Sequence, residues 1–247
     1  MRVFLDLSYR GAPFHGWQVQ PGQITVQSVV EDALSRLVRQ PVGIVGAGRT
    51  DAGVNARQMV AHCDLPDGFD IGESFLRSIN AMVGRDIALR SARIVSGEAH
   101  ARFDATERSY RYFAHTLKNP FMGELSWQAP ATLDFDAMNE AASLILGKRD
   151  FTSFSKLHTD VKTNICDLRR ARWHRLEEEP NRWYFEITAD RFLRNMVRAV
   201  VGTLVDVGRH KFRPDSILDV LAANDRCAAG TSMPAGPLFL WSVSYPY

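Results

Sequence analysis

The hydrophobic positions fall into short alternating runs separated by stretches of helical spacing. Over residues 3–9, Val3, Leu5 and Leu7 share one face, the period of a half-buried strand. Between residues 25 and 40 the apolar positions Val26, Val29, Val30, Ala33, Leu34, Leu37 and Val38 follow a helical period. Thr25 suits the N-cap, Glu31 and Asp32 fall early, Arg36 and Arg39 fall late, and Pro41 stops the helix. Residues 42–47 form a short apolar strand, and residues 58–65 alternate again with Met59, Ala61, Cys63 and Leu65 on one side. A helix over 70–83, with Phe75, Leu76, Ile79 and Val83 inward, and a strand over 87–95 complete a first half of order strand, helix, strand, strand, helix, strand.

A linker bearing Glu98, His100, Arg102 and Asp104 leads into a second half of similar make-up. Tyr110, Tyr112 and Ala114 alternate in a strand, and residues 136–146 form a helix closed by Gly147. Residues 168–176 and 182–189 pair as a hairpin around 178–181. A long helix is expected over 191–207, with Leu193, Met196, Val197, Val200 and Leu204 on one face. Another helix begins at Pro214, and residues 238–245 end the chain as a strand. The halves, 1–105 and 106–247, share an order of elements without any residue-level repeat.

Composition adds limits. At 247 residues, 45% hydrophobic and 23% charged, the chain has the balance of an ordinary globular protein. No apolar run approaches the roughly 18 residues of a membrane-spanning helix, and the alternating N-terminus is unlike a secretory signal. Cys63, Cys166 and Cys227 lie far apart, with no CxxC pair, which argues against a zinc site or a disulfide framework and for a reducing, cytoplasmic location. Net charge is only +2, yet residues 146–214 hold 15 Lys and Arg against 9 Asp and Glu. Phe151, Phe154, Trp173, Trp183, Tyr184 and Phe192 are mixed into that stretch, a pattern equally open to an RNA-binding surface or to a solvated basic face beside core aromatics.

The least ordinary segment lies between the second and third strands: Gly46-Ala47-Gly48-Arg49-Thr50-Asp51-Ala52-Gly53-Val54-Asn55-Ala56. It holds one carboxylate in a glycine-rich loop, with Arg49 two residues away. Taken alone, an Asp beside glycine more often caps a backbone amide in a tight turn than it carries out chemistry. A dinucleotide loop is excluded, because Asp51 stands where GxGxxG needs its third glycine and the following pattern is a strand. GxSxG, HExxH and GxxxxGK[ST] are absent, and His62, His115, His174 and His210 stand alone. Nothing in the pattern calls for a metal or a cofactor.

These residues resemble the TruA family of tRNA pseudouridine synthases. Gly48-Arg49-Thr50-Asp51-Ala52-Gly53-Val54 is similar to that family's signature loop, whose Asp is catalytic. Arg108-Ser109-Tyr110-Arg111-Tyr112 resembles its second motif, with Tyr110 at the active-site tyrosine. Asp150-Phe151-Thr152-Ser153-Phe154 resembles its DFTSF segment, and Asn195-Met196-Val197-Arg198 the helix whose arginine pairs with the aspartate. With residues 11–20 and the terminal strand, the likeness spans nearly the whole chain. Two departures stand out. Asn55 replaces the histidine of the usual GVHA, so an amide would take over a contact to RNA, and Pro234-Ala235-Gly236-Pro237-Leu238 shifts a turn near the end.

The resemblance implies an α+β fold of two similar halves that form a mixed, largely antiparallel central sheet flanked by helices, with a cleft between the halves. It implies isomerisation of uridine to pseudouridine at positions 38 to 40 of the tRNA anticodon stem-loop by a homodimer, without cofactor, metal or membrane. Asp51 would be the catalytic carboxylate, Tyr110 would stack on the flipped uracil, and Arg198 would hold Asp51 ionised. Arg49, Thr50, Asn55, Tyr110, Arg191 and Arg194 would contact RNA. Another RNA target, or a non-catalytic RNA-binding protein on the same fold, is the alternative; the intact Asp51, Tyr110 and Arg198 set argues against the latter.

Overall fold

The structure, a computed structural model, describes residues 1–156 and 163–247. In chain order the elements are β1 (Arg2–Tyr9), α1 (Val26–Val38), β2 (Val45–Gly46), β3 (Asn55–Asp64), α2 (Glu73–Met82), β4 (Ile87–Ile94), β5 (Glu107–His115), β6 (Trp127–Gln128), α3 (Phe135–Leu144), β7 (Gly147–Asp150), β8 (Ile165–Arg175), β9 (Arg182–Ala189), α4 (Met196–Gly208), α5 (Ser216–Ala223) and β10 (Leu238–Ser244). They divide into two compact units, Met1–Thr106 with Leu240–Tyr247, and Glu107–Phe239. In each, a largely antiparallel sheet is accompanied by helices, which is the α+β class the resemblance implies.

The first unit orders its strands β4-β1-β3-β10, with β2 beside β3. Antiparallel register sets Val3, Leu5 and Leu7 opposite Cys63, Ala61 and Met59, and all six are buried. That apolar face is the direct product of period-two alternation. α1 presents Val26, Val30, Ala33 and Leu34, α2 presents Phe75 and Ile79, and α2 packs on β4 and on α1. α1 begins with a capping box: Thr25 Oγ1 accepts from the Ser28 amide while Ser28 Oγ accepts from the Thr25 amide. The next orphan amides are also satisfied, since Val26 N donates to Gly16 O and Gln27 N to Trp17 O. The start of α1 therefore fixes residues 16 and 17 in place.

The second unit orders its strands β5-β9-β8-β7, antiparallel throughout, with β6 added in parallel to β5. α3 packs against β8 and α4. Asn139 of α3 clamps the Trp173 backbone, accepting from its N at 2.7 Å and donating to its O at 3.2 Å. Phe135 stacks flat on Trp183 at 3.9 Å.

Two expectations change here. The helix expected from residue 191 begins at Met196, because Asn195 adopts a left-handed φ of 66° and breaks the helical run. Its apolar positions do not form one stripe: α4 is buried almost all round, as a helix in the middle of a core must be. The aromatics interleaved with the basic stretch also divide. Phe151, Phe154 and Trp173 are core residues, while Trp183, Tyr184 and Phe192 are half-buried. Trp183 lies on the same face of the paired strands as Trp173 but one alternation nearer the hairpin end, and Tyr184 points to the opposite face. Asp160 and Lys162 of that stretch lie outside the described residues.

Candidate active site

In the first unit, Asp51 sits half-buried in the loop between β2 and β3, and the backbone on both sides of it is tied down. Val54 N donates to Asp51 O at 3.1 Å, closing a turn whose third residue, Gly53, has φ of 80°. That positive φ at the third position is the reason glycine stands there. One residue before Asp51, the Thr50 carbonyl accepts from Trp17 N at 3.1 Å, and the Thr50 hydroxyl meets Tyr9 Oη at 2.8 Å in a buried contact. After the turn, Asn55 Oδ1 accepts from Gly11 N at 2.7 Å.

Residues 11–17 thus form a brace along the Asp51 loop, and they lie so close to it that side chains are excluded. A Cβ on Gly16 would stand 2.6 Å from Thr50 O and 3.2 Å from the Asp51 carbonyl carbon. A Cβ on Gly11 would overlap the Val54 carbonyl, and one on Gly46 would meet the Trp17 ring. Arg49 is exposed on the same loop. Thr50 and Asn55, expected at the RNA surface, lie inside the unit, Asn55 with 1% of its surface exposed. The environment of Asn55 explains an amide there: it supplies the acceptor that a buried backbone N–H requires.

The second unit gathers the other expected residues around the entry to α4. Tyr110 on β5 is largely buried, and its ring meets Phe192 edge-on at 5.0 Å. Arg191 and Phe192 follow a fixed corner, in which Asp190 Oδ1 accepts from the amides of Asp167 and Arg191 and Arg108 donates to Asp190 O. Arg194 is exposed, and its carbonyl accepts from Lys156 N, which joins the DFTSF segment to the start of α4. Arg198, in the first turn of α4, is half-buried, and its Nε donates to Met233 O at 2.5 Å. The strap carrying Met233 is itself held: Met233 N donates to Arg198 O, Asn195 Nδ2 to Ser232 Oγ, and Gly230 N to Thr203 Oγ1. Tyr112, two residues along β5, is fully buried without a hydrogen-bond partner for its hydroxyl among the described residues, and burial pushes its phenol up.

Comparison with known proteins now bears on this arrangement. A family model described as tRNA pseudouridine synthase matches residues 141–246. The chain is 51% identical over 245 residues to tRNA pseudouridine synthase A of Parabacteroides distasonis, covering 99% of this chain and 96% of that protein. It is 39% identical over 249 residues to tRNA pseudouridine synthase A of Bacillus subtilis, covering 99% of each. The chain belongs to the TruA family of tRNA pseudouridine synthases.

Within this TruA chain, the supports for the loop were not singled out from the sequence. Gly11, Gly16 and Trp17 fall in a segment noted only for its likeness to the family, and nothing in its spacing says that it runs along the Asp51 loop. The signal available was the pair of glycines at 11 and 16 flanking a non-periodic stretch, which marks close backbone approach without naming the neighbour. Ser232 and Met233 carried no signal at all. The cysteines behave as expected of small apolar groups at two positions: burial pushes the Cys63 and Cys166 thiols up to about 12, while Cys227 is exposed.

Proposed function

We propose that this TruA-family chain converts uridines at positions 38 to 40 of the tRNA anticodon stem-loop to pseudouridine, with Asp51 as its catalytic carboxylate and without a cofactor. Family membership carries the coarser statement, an isomerase that forms pseudouridine in tRNA. The observation that best supports Asp51 as the reacting group is its place between two clamped neighbours, Thr50 and Val54, in a loop braced by residues 11–17. A carboxylate that must meet one atom of a sugar or base needs that fixity.

The reaction is a rearrangement, so its atoms balance within the substrate. The bond between C1′ and N1 breaks, the uracil turns, C1′ joins C5, and the proton leaving C5 is matched by one gained at N1. An ionised carboxylate serves by attacking covalently or by stabilising positive charge at the sugar, as carboxylates do in glycoside cleavage. A uridine within a stem must first leave it, which costs a few kcal/mol of unstacking. Arg49, exposed on the Asp51 loop, is suited to helping displace the base. Tyr110 stacks on the flipped uracil and accepts its C5 proton. Arg198 supplies positive charge to the reaction, and its Nε bond to Met233 O supports a fixed guanidinium. Arg191 and Arg194 take phosphates.

The working species is a homodimer in the cytoplasm. Among the described residues of the basic stretch, Arg169, Arg182, Lys211 and Arg213 already face carboxylates, which leaves one copy a modest grip on a polyanion. No helix among the described residues is long and apolar enough to cross a membrane. Light scattering at micromolar concentration tests the dimer, and a fully active monomer removes it from the mechanism.

Asp51→Asn tests the assignment. It keeps size and hydrogen-bonding reach while removing charge and nucleophilicity. The expected result is loss of tritium release from C5-labelled uridine in a transcribed tRNA, assayed with chelator and no added cofactor, while stability stays within about 0.5 kcal/mol and tRNA still binds. A variant that turns over at the parent rate makes Asp51 structural. Mapping pseudouridines in RNA from cells lacking the protein separates the anticodon stem-loop from another RNA target.

A further inference from the structure

The loop between β4 and β5 carries an exposed phenylalanine on a backbone tied down on both sides. Phe103 has 74% of its surface open, yet its ring lies nearly flat on His100, with centroids 4.2 Å apart and planes 30° apart. His100 meets His62 edge-on at 4.7 Å, and His62 stacks on Phe4 of β1. These rings form a ladder that starts in the buried sheet and ends at Phe103. The backbone is fixed as well: His100 Nδ1 accepts from the amides of Arg102 and Phe103, and His100 N donates to Asp104 Oδ2 at 2.7 Å. Tyr245 Oη donates to Ala101 O, and Tyr247 Oη donates to Asp104 Oδ2.

A single exposed apolar side chain is ordinary and needs no explanation. An exposed ring on a loop held in this way is different: its own amide and face are fixed on His100, and five further contacts hold the residues around it without hiding the ring from water. Such a platform is pre-organised for a planar partner. The charge beside it selects the kind. The Arg102 guanidinium lies 5.7 Å from the Phe103 ring, and exposed Arg93 lies 5.9 Å from the Tyr247 ring. Aromatic faces beside arginines are the means by which proteins hold unpaired bases and the phosphates attached to them.

We propose that Phe103 is a stacking platform for one unpaired base of the bound tRNA, away from the Asp51 loop, with Arg102 on the adjoining phosphate. The proposal rests on the reading that tRNA is the substrate. The base continues the ladder Phe4, His62, His100, Phe103 by one more ring, and the site takes part in holding the tRNA rather than in the chemistry.

Phe103→Ala, Phe103→Leu and Phe103→Trp in the full chain test it, read by binding of a tRNA transcript, single-turnover tritium release and thermal unfolding. Loss of one stacked base predicts binding weakened by about 5- to 150-fold for Phe103→Ala, with the melting temperature unchanged. Phe103→Trp should bind like the parent, whereas Phe103→Leu, apolar but without a π-face, should stay weak. Stacking releases no counterions, so Phe103→Ala keeps the parent salt slope while Arg102→Gln lowers it by about one. Parent-like binding by Phe103→Ala overturns the proposal while leaving the tRNA reading intact. So does rescue by leucine, or dissociation of an oligomer by Phe103→Ala, which assigns the ring to a second copy. A parent that neither binds nor modifies tRNA removes the substrate reading, and this platform with it.

Discussion

Gly16→Ala should damage the Asp51 loop without touching a reacting group. Two separate effects act at this position. Gly16 has φ of 86°, which strains an L side chain by about 1–2 kcal/mol. Its new Cβ would also stand 2.6 Å from Thr50 O, with Ala52 N and the Asp51 carbonyl carbon at 3.2 Å. These are backbone atoms that cannot rotate away, so the loop or the brace must move, at about 1–3 kcal/mol for an overpacked contact. The sum is about 2–5 kcal/mol, or roughly 4–20 °C in melting temperature for a chain of this size. Gly22→Ala is the internal control, because Gly22 has φ of 71° but nothing within 4 Å of the point where a Cβ would stand. It should lose only the strain, about 1–2 kcal/mol. Displacing Thr50 and Asp51 by a few tenths of an ångström should lower the single-turnover rate about four- to tenfold, given that about 1 Å of misplacement costs about a hundredfold. Urea unfolding and tritium release on both variants decide it. Equal stability losses for the two, or a parent rate for folded Gly16→Ala, would refute the idea that this close approach holds the carboxylate in place.

Asn55→Ala removes the acceptor for the buried Gly11 amide, a loss of about 1–3 kcal/mol of stability by urea unfolding. If Asn55 served RNA instead, tRNA affinity would fall with stability unchanged. His62 sets a pH dependence. Burial first, and then the nearby His100 and Arg2, hold its imidazole below the ordinary value, so the unfolded chain takes up a proton that the folded one resists. Its contribution is intact above about pH 6.5 and is lost as pH falls toward and through the lower folded value. Stability measured from pH 7 to 5 should decline, and His62→Asn, whose Oδ1 replaces the Nδ1 that accepts from Ala101 N, should flatten that decline. An unchanged slope in this variant would assign the acid sensitivity to other groups.

How much could be read from the sequence depended on the range of each interaction. Elements with a local cause were legible: alternation in β1 and β3, and the Thr25 cap and Pro41 stop that bound α1 between Val26 and Val38. The entry to α4 was misplaced by five residues because the left-handed turn at Asn195 is held by Ser232, 37 residues away, and not by its neighbours. Amphipathic reasoning also failed on α4, since a helix buried all round has no polar face to give its orientation. The same division runs through the candidate site. Asp51 declared itself because the glycines around it are local and their spacing is unusual. The brace that fixes Asp51 was invisible, because Gly11, Gly16 and Trp17 owe their positions to an α1 N-terminus and a loop that are neighbours only in the folded chain. In the same way Asn55 reads as a surface polar residue until the amide of Gly11, 44 positions earlier, is seen to need it. The carboxylate proposed for the chemistry is therefore written locally, while the rigidity of its loop is supplied by residues whose types reveal only that something must come close.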